Sequence, residues 1–250
     1  MSFRRSTKNA LNWLVSPFGL EIRRRTHDWS DTRNFIPLEE TLAASERMGL
    51  SVGDYIDKVL NNIPGATQFT IDEMSRFGTF SQAIQTVLEI GPGSGRYLEK
   101  TLALCSPSRY EIYETSVPWA SFLVKRYGVV FQPTNGGLLN STTDASCDLV
   151  HAHKVFSTIP FLPTIQYWSE MVRVARRGAY VVFDIMTEEC LDMPTLKEWR
   201  LSKIDNGSYP ATMPRAVAIE FFTTNDCSLV GSFFVPMGKG RTEAFIFRKR

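Results

Sequence analysis

The chain has 250 residues, 43% hydrophobic and 22% charged, with a formal net charge of +2. This is the composition of an ordinary soluble globular protein, long enough to bury a sizeable core, and its near balance of charge argues against a nucleic-acid binder, whose domains are strongly basic. No apolar run approaches the ~18 residues needed to cross a bilayer, and the four scattered cysteines (Cys105, Cys147, Cys190, Cys227) contain no CxxC, so they form neither a zinc pattern nor a disulfide framework; reduced thiols and a cytoplasmic location are the expectation.

The chain opens on a basic arm. Arg4, Arg5, Lys8, Arg23, Arg24 and Arg25 stand against Glu21 alone, around an apolar stretch at 10–18. Either a solvated helix lays one face on the domain, or the arm touches an anionic membrane surface. Pro17 and the arginine triplet exclude a secretion signal. Residues 1–85 read as an N-terminal helical extension. PLEETLAASERMGL, SVGDYIDKVLNNI and ATQFTIDEMSRF have helical spacing, and Ser51 is placed to cap the second through Asp54.

From residue 86 short apolar runs alternate with helical segments. TVLEIG, RYEIYE, GVVFQP, CDLVHAH and AYVVFDI predict strands of a parallel sheet covered on both faces. GSGRYLEKTLAL, SVPWASFLVKRY and LPTIQYWSEMVRVARR predict crossover helices. The region 188–215 reads as long and irregular, and PRAVAIEFFTTND as a helix. SLVGSFFVP and TEAFIFRK, joined by MGKG, predict an antiparallel hairpin. The fold class is therefore α/β, with 86–250 as one domain.

The stretch VLEIGPGSGRYLEK carries the strongest chemical signal. Glycines after a strand let the backbone turn tightly and approach a ligand at a helix start. Dinucleotides and S-adenosylmethionine both exploit such turns. The dinucleotide fingerprint needs a third glycine where Arg96 stands, and the phosphate loop needs a lysine and a hydroxyl after Gly95; neither is present. The series Gly91, Gly93, Gly95 thus fits no phosphate holder. A carboxylate at the strand end, Glu89, suits a sulfonium cation. Glu114 ends the next strand, where an acid can accept from both ribose hydroxyls, with Thr115 beside it. After the third strand, the Asn135 amide, next to Gly136, can meet an adenine amino group.

With these motifs in sequence order, VLEIGPGSGRYLEK, the acid of YEIYE, CDLVHAH and MVRVARRGAYVVFDI resemble the class I S-adenosylmethionine-dependent methyltransferases over residues 86–250. The resemblance implies a Rossmann-like sheet of seven strands in the order 3-2-1-4-5-7-6 with only strand seven antiparallel. It also implies S-adenosylmethionine as cofactor, at Glu89, Gly91, Gly93, Gly95, Glu114, Thr115, Asn135, Gly136 and His151. Asn135 stands where that family often has an acid, and Arg177-Gly178-Ala179 where it often has two glycines. GLEIRRR, YIDKVL, HAHKVFSTIPFL and GKGRTEAFIFRK look similar to bacterial, particularly actinobacterial, sugar O-methyltransferases of methylated polysaccharide or glycolipid biosynthesis. That implies a small-molecule or oligosaccharide acceptor.

Methyl transfer to a hydroxyl needs in-line positioning and a base. His153 closes the fourth strand at the sheet's carboxyl edge and is the candidate base, with His151 on the same strand face. His151, His153 and Asp184 would give three ligands to a divalent ion. Magnesium prefers oxygen donors, however, so a metal such as Mg2+ is not favoured. Tyr55, Asp184, Trp199, Tyr209, Arg215 and Arg241 form the candidate acceptor set. A polyketide, phenolic or lipid hydroxyl is the alternative acceptor, and a non-catalytic cofactor-binding scaffold the alternative of another class.

Overall fold

A computed structural model describes residues 36–134, 138–201, 210–238 and 240–250. The basic arm, Asn135, Gly136 and Tyr209 lie outside the described residues, as does the side chain of Trp199.

The described part of the extension contains three α-helices: α1 (Leu38–Arg47), α2 (Val52–Tyr55) and α3 (Ala66–Arg76). Ser51 caps α2, its hydroxyl accepting from Asp54 N–H at 3.0 Å. The helix then widens into one π-turn, Ile56–Leu60, which carries the buried Asp57. α3 buries Ile71 and Met74 in the same core as sheet residues Val87, Leu149 and Ile246.

The sheet alternates with helices as the apolar runs require: β1 (Thr86–Ile90), α4 (Arg96–Leu104), β2 (Arg109–Tyr113), α5 (Val117–Tyr127), β3 (Val130–Phe131), β4 (Cys147–Ala152), α6 (Phe161–Val174), β5 (Ala175–Ile185), α7 (Met193–Leu201), α8 (Arg215–Thr224), β6 (Cys227–Met237) and β7 (Gly240–Lys249). The strand order is β3-β2-β1-β4-β5-β7-β6. β7 runs antiparallel to both neighbours, and the remaining pairs are parallel. This is the Rossmann-like arrangement of the class I methyltransferases. Every residue of β4 is buried, as a strand covered on two faces must be.

One face of the sheet presents Leu88, Val150, Phe183 and Phe247 to Trp168 of α6 and Phe222 of α8. The rings interlock, Phe222 stacking on Phe247 at 4.5 Å between centroids. The opposite face presents Val87, Ile112, Leu149 and Val182 to α3, α4 and α5. The candidate site grows from the carboxyl end of this second face.

Two elements depart from the sequence expectation. The helix expected to run through Arg177 stops at Val174, and Ala175 already pairs with Cys147. The cause lies across the sheet. Asp148, 1% exposed, accepts from the backbone N–H of Gln85 and Thr86 and forms an ion pair with Arg176, which draws that residue into the strand. The region expected to be irregular contains α7. Asp192 starts it, its carboxylate accepting from Thr195 N–H at 2.8 Å.

Candidate active site

Strand order reverses between β1 and β4, and the crevice beyond the carboxyl ends of those two strands is where open α/β sheets bind ligands. The glycine turn leaves β1 at this point. Gly91, Gly93 and Gly95 have φ of 62°, 53° and 79°. A Cβ on Gly95 would lie 2.3 Å from Leu123 Cδ2, whereas one on Gly93 meets nothing within 4 Å. Gly95 is thus required for the close approach of α4 to α5, and Gly93 leaves backbone open to a ligand. Gly95→Ala is expected to cost ~1–3 kcal/mol, from the left-handed backbone and the clash together. Chemical unfolding measures it, and an unchanged midpoint would show that Leu123 yields freely.

Glu114, 3% exposed, stands just past β2 and binds the turn. Its Oε2 accepts from Gly93 N–H and its Oε1 from Ser116 N–H, each at 2.7 Å. Burial raises its pKa, against the pull of these backbone donors. Thr115 is exposed beside it. Gln132 and the stretch 139–142 lie next to β2. Glu111 accepts from Gln132 Nε2 and Thr142 Oγ1, and Arg173 donates to the carbonyls of Leu139 and Thr142.

Along the second face runs a buried file of polar groups, supplied by alternate residues of adjacent strands. Tyr110 hydroxyl donates to Glu89 Oε2 at 2.7 Å and lies 2.9 Å from His151 Nε2. Burial pushes the Glu89 carboxyl up to about 8 and the His151 imidazole well below its usual range. The neutral His151 tautomer that satisfies this chain carries its proton on Nε2. His151 is fully enclosed, with Tyr110 between it and Glu89.

His153 follows directly on β4. Its ring stacks on Tyr97 of α4 at 4.1 Å and tilts against His151 at 5.1 Å. Burial lowers its pKa to about 4, although the charge of Asp184 works the other way. Next comes Lys154, a residue with a side chain held at φ 60°. Asp184 holds this left-handed turn. Its Oδ1 accepts from Lys154 N–H at 2.7 Å, and its Oδ2 lies 3.1 Å from Nζ. Lys154 Nζ also donates to Thr242 Oγ1 at 2.5 Å. Burial works against the charge of Asp184, but Lys154 and His153 outweigh it and hold its pKa below the usual range. Strained non-glycine backbone of this kind concentrates at functional sites.

The extension reaches the turn through Asp57, which is 1% exposed. Its carboxylate accepts from Thr67 N–H and hydroxyl, and from Arg96 Nη1 at 2.6 Å. Tyr55, partly exposed, ends α2 just before it. The other candidate acceptor residues sit farther along the edge. Arg215 Nε donates to Glu243 at 2.9 Å, and Arg241 Nη2 donates to the Glu189 carbonyl at 2.7 Å with its guanidinium over Phe234. Both guanidiniums already carry internal contacts. Sequence reading missed Asp57, Arg96, Tyr97, Tyr110, Lys154 and Thr242. Arg96 could have been found as the residue displacing the fingerprint's third glycine. The rest lack any local signal.

Among the described residues no three His, Cys, Asp or Glu side chains converge as a metal site. His151 is engaged by Tyr110 and Asp184 by Lys154. A sulfonium donor fits better. Two buried carboxyl groups border the glycine turn, and Glu114 already takes the Gly93 N–H of that turn.

No protein-family model matches the sequence, and comparison with curated proteins finds no match. Solved structures establish the fold. An O-methyltransferase family protein from Burkholderia thailandensis superposes with a TM-score of 0.59 at 15% identity, covering 97% of this chain and 70% of its own. The N-methyltransferase NodS from Bradyrhizobium japonicum, in complex with S-adenosyl-L-homocysteine, gives 0.56 at 17% identity, covering 84% and 98%. Magnesium protoporphyrin IX methyltransferase from Synechocystis, also with S-adenosyl-L-homocysteine bound, gives 0.56 at 10% identity, covering 99% and 100%.

Proposed function

We propose that this protein is an S-adenosylmethionine-dependent O-methyltransferase that methylates a hydroxyl of a saccharide, as a polysaccharide precursor or the sugar of a glycolipid. The observation that carries the reading is the position of Glu89 and Glu114, both buried, on either side of a glycine turn at the point where the strand order reverses. The structural neighbours in complex with S-adenosyl-L-homocysteine support it at the level of the fold. A shared fold does not by itself carry a shared substrate, so the acceptor class rests on the sequence resemblance to sugar O-methyltransferases.

Bound in the crevice, the donor supplies an electrophilic methyl group on a positively charged sulfur. Gly93 gives it room, Glu114 offers its remaining lone pairs to the ribose, and Glu89 faces the cationic end. His153 takes the proton of the acceptor hydroxyl. At neutral pH its imidazole is uncharged, the form that accepts a proton, and Asp184 stabilises the imidazolium that results. The Lys154–Asp184–Thr242 cluster fixes the turn on which His153 stands. A second reading, a hydroxyl on a polyketide, phenol or lipid, draws on α7, which exposes Met193, Leu196 and Leu201 on the segment leaving β5.

A panel of saccharide and apolar hydroxyl acceptors, assayed with labelled methyl donor, separates the two. In the positive assay His153→Ala is expected to lose ~100- to 10,000-fold in turnover, with donor affinity retained. Near-normal turnover would clear His153 of the role.

A further inference from the structure

Arg96 is the first residue of α4, directly after Gly95, so its side chain leaves the chain where the glycine turn ends. It is largely enclosed, at 14% side-chain exposure. Asp57 takes Nη1 at 2.6 Å and is its hydrogen-bond acceptor among the described residues. Asp57 is itself held by two further bonds, from Thr67 N–H and hydroxyl. Its place in the chain is a π-turn, a distortion frequent at functional sites. The backbones are also in close register: a Cβ on Gly53 would lie 2.9 Å from Arg96 Cβ. A guanidinium is a planar fork with more donors than one carboxylate edge can use. With Nη1 on Asp57 and the guanidinium 5.1 Å from the Tyr97 ring centroid, the other N–H groups have no hydrogen-bond acceptor among the described residues.

The charge of Arg96 reaches the crevice. It works to lower the pKa of Glu89, His153 and Lys154, from β1 and from the end of β4. Glu89 precedes the turn, Arg96 follows its last glycine and Glu114 accepts from Gly93 within it, so two acids and one fixed cation border it. The amino-acid tail of the proposed donor has the same pattern, an ammonium and a carboxylate on one carbon.

We infer that Arg96 is a donor-binding residue that receives the carboxylate of the methionine tail, and that Asp57 of the N-terminal extension is the positioning residue that aims it. This rests on the proposed function and assigns part of the donor site to the extension. Helices 52–76 then act as a required wall of that site, because the direction of the fork depends on the π-turn and on Thr67.

Calorimetric titration of the full chain with S-adenosylmethionine and with its decarboxylated analogue tests this. The analogue keeps sulfonium and ammonium and lacks only the carboxylate. The wild-type chain is expected to prefer the intact donor by about 10- to 100-fold, the range of a charged hydrogen bond. Arg96→Met should bind the two alike, and Asp57→Asn should narrow the preference. Because either change leaves one member of a buried pair alone, the double variant Arg96→Met/Asp57→Asn serves as the folding control. It should keep a cooperative unfolding transition and show no preference. A preference that survives in Arg96→Met, or an equal loss of affinity for both ligands, would reduce the pair to a structural tie and overturn the inference. A wild-type chain that binds neither ligand would overturn the proposed function, and this inference with it.

Discussion

Asp184→Ala is expected to destabilise the protein by ~3–5 kcal/mol, the range for breaking a buried ion pair from one side. Asp184 is 1% exposed, and it both accepts from Lys154 N–H and faces Lys154 Nζ. Its removal leaves an ammonium enclosed with Thr242 as its remaining partner among the described residues. It also removes the acceptor of the backbone N–H of Lys154, the left-handed residue. Asp184→Asn keeps a neutral oxygen for the backbone N–H and should cost less. The double variant Asp184→Asn/Lys154→Met removes both charges and should recover part of the loss. Urea unfolding of the wild type, Asp184→Asn, Lys154→Met and their double variant gives the coupling directly. A coupling below ~1 kcal/mol, typical of exposed pairs, would mean that solvent screens the cluster. His153 would then lose its fixed support.

The second large effect is a pH dependence of donor binding set by Glu89. Burial holds its pKa at about 8, against 4.5 for an ordinary glutamate, so the free protein carries this carboxyl mostly protonated at neutral pH. A cationic donor favours the ionised form, so the bound pKa is lower than the free one. Binding then releases a proton, and affinity rises as pH increases toward 8, by up to ~10-fold per pH unit. Stability runs the other way. The folded chain keeps the proton that the unfolded chain loses above pH 4.5, so raising pH from about 4.5 to about 8 weakens the fold through this group. Titrations in two buffers of different ionisation enthalpy count the released proton. Glu89→Gln should lose both the proton release and most of the slope of affinity with pH. A wild-type affinity independent of pH between 6 and 8, within the accuracy of such titrations (about a factor of two), would show that Glu89 is already ionised and not coupled to the donor.

The order of elements was legible because parallel strands buried on two faces leave continuous apolar runs, as in CDLVHAH and AYVVFDI. The strand order came from the family resemblance, and the structure shows the same order. What escaped was set by partners distant in sequence. Arg176 enters β5 because Asp148 calls for it, and no local pattern distinguishes that arginine from a helical one. The start of α7, by contrast, was written locally as Asp192 three residues before Thr195, and was passed over in a stretch rich in turn residues.

The candidate site divides in the same way. Glu89 and Glu114 were legible as strand-end acids, and Glu114 accepts from Gly93 of the turn. His151 and His153 were legible as a pair on one strand face, yet sequence could not separate their surroundings. One is bound to Tyr110, and the other lies stacked on Tyr97. Lys154 has no signature at all, since a lysine at φ 60° looks like any other lysine until Asp184 and Thr242 are placed around it. Arg215 and Arg241 looked like free cations for an acceptor. Folding brings Glu243 and the Glu189 carbonyl to them.

The central claim is that the turn from 91 to 95 receives a sulfonium donor between Glu89 and Glu114. Calorimetric titration of the purified full chain with S-adenosylmethionine, in parallel with a nicotinamide dinucleotide and a nucleoside triphosphate, measures it most directly. Saturable binding of S-adenosylmethionine to one site, with no heat from the phosphate ligands, is the predicted result. Uptake of either phosphate ligand with no response to S-adenosylmethionine would contradict it.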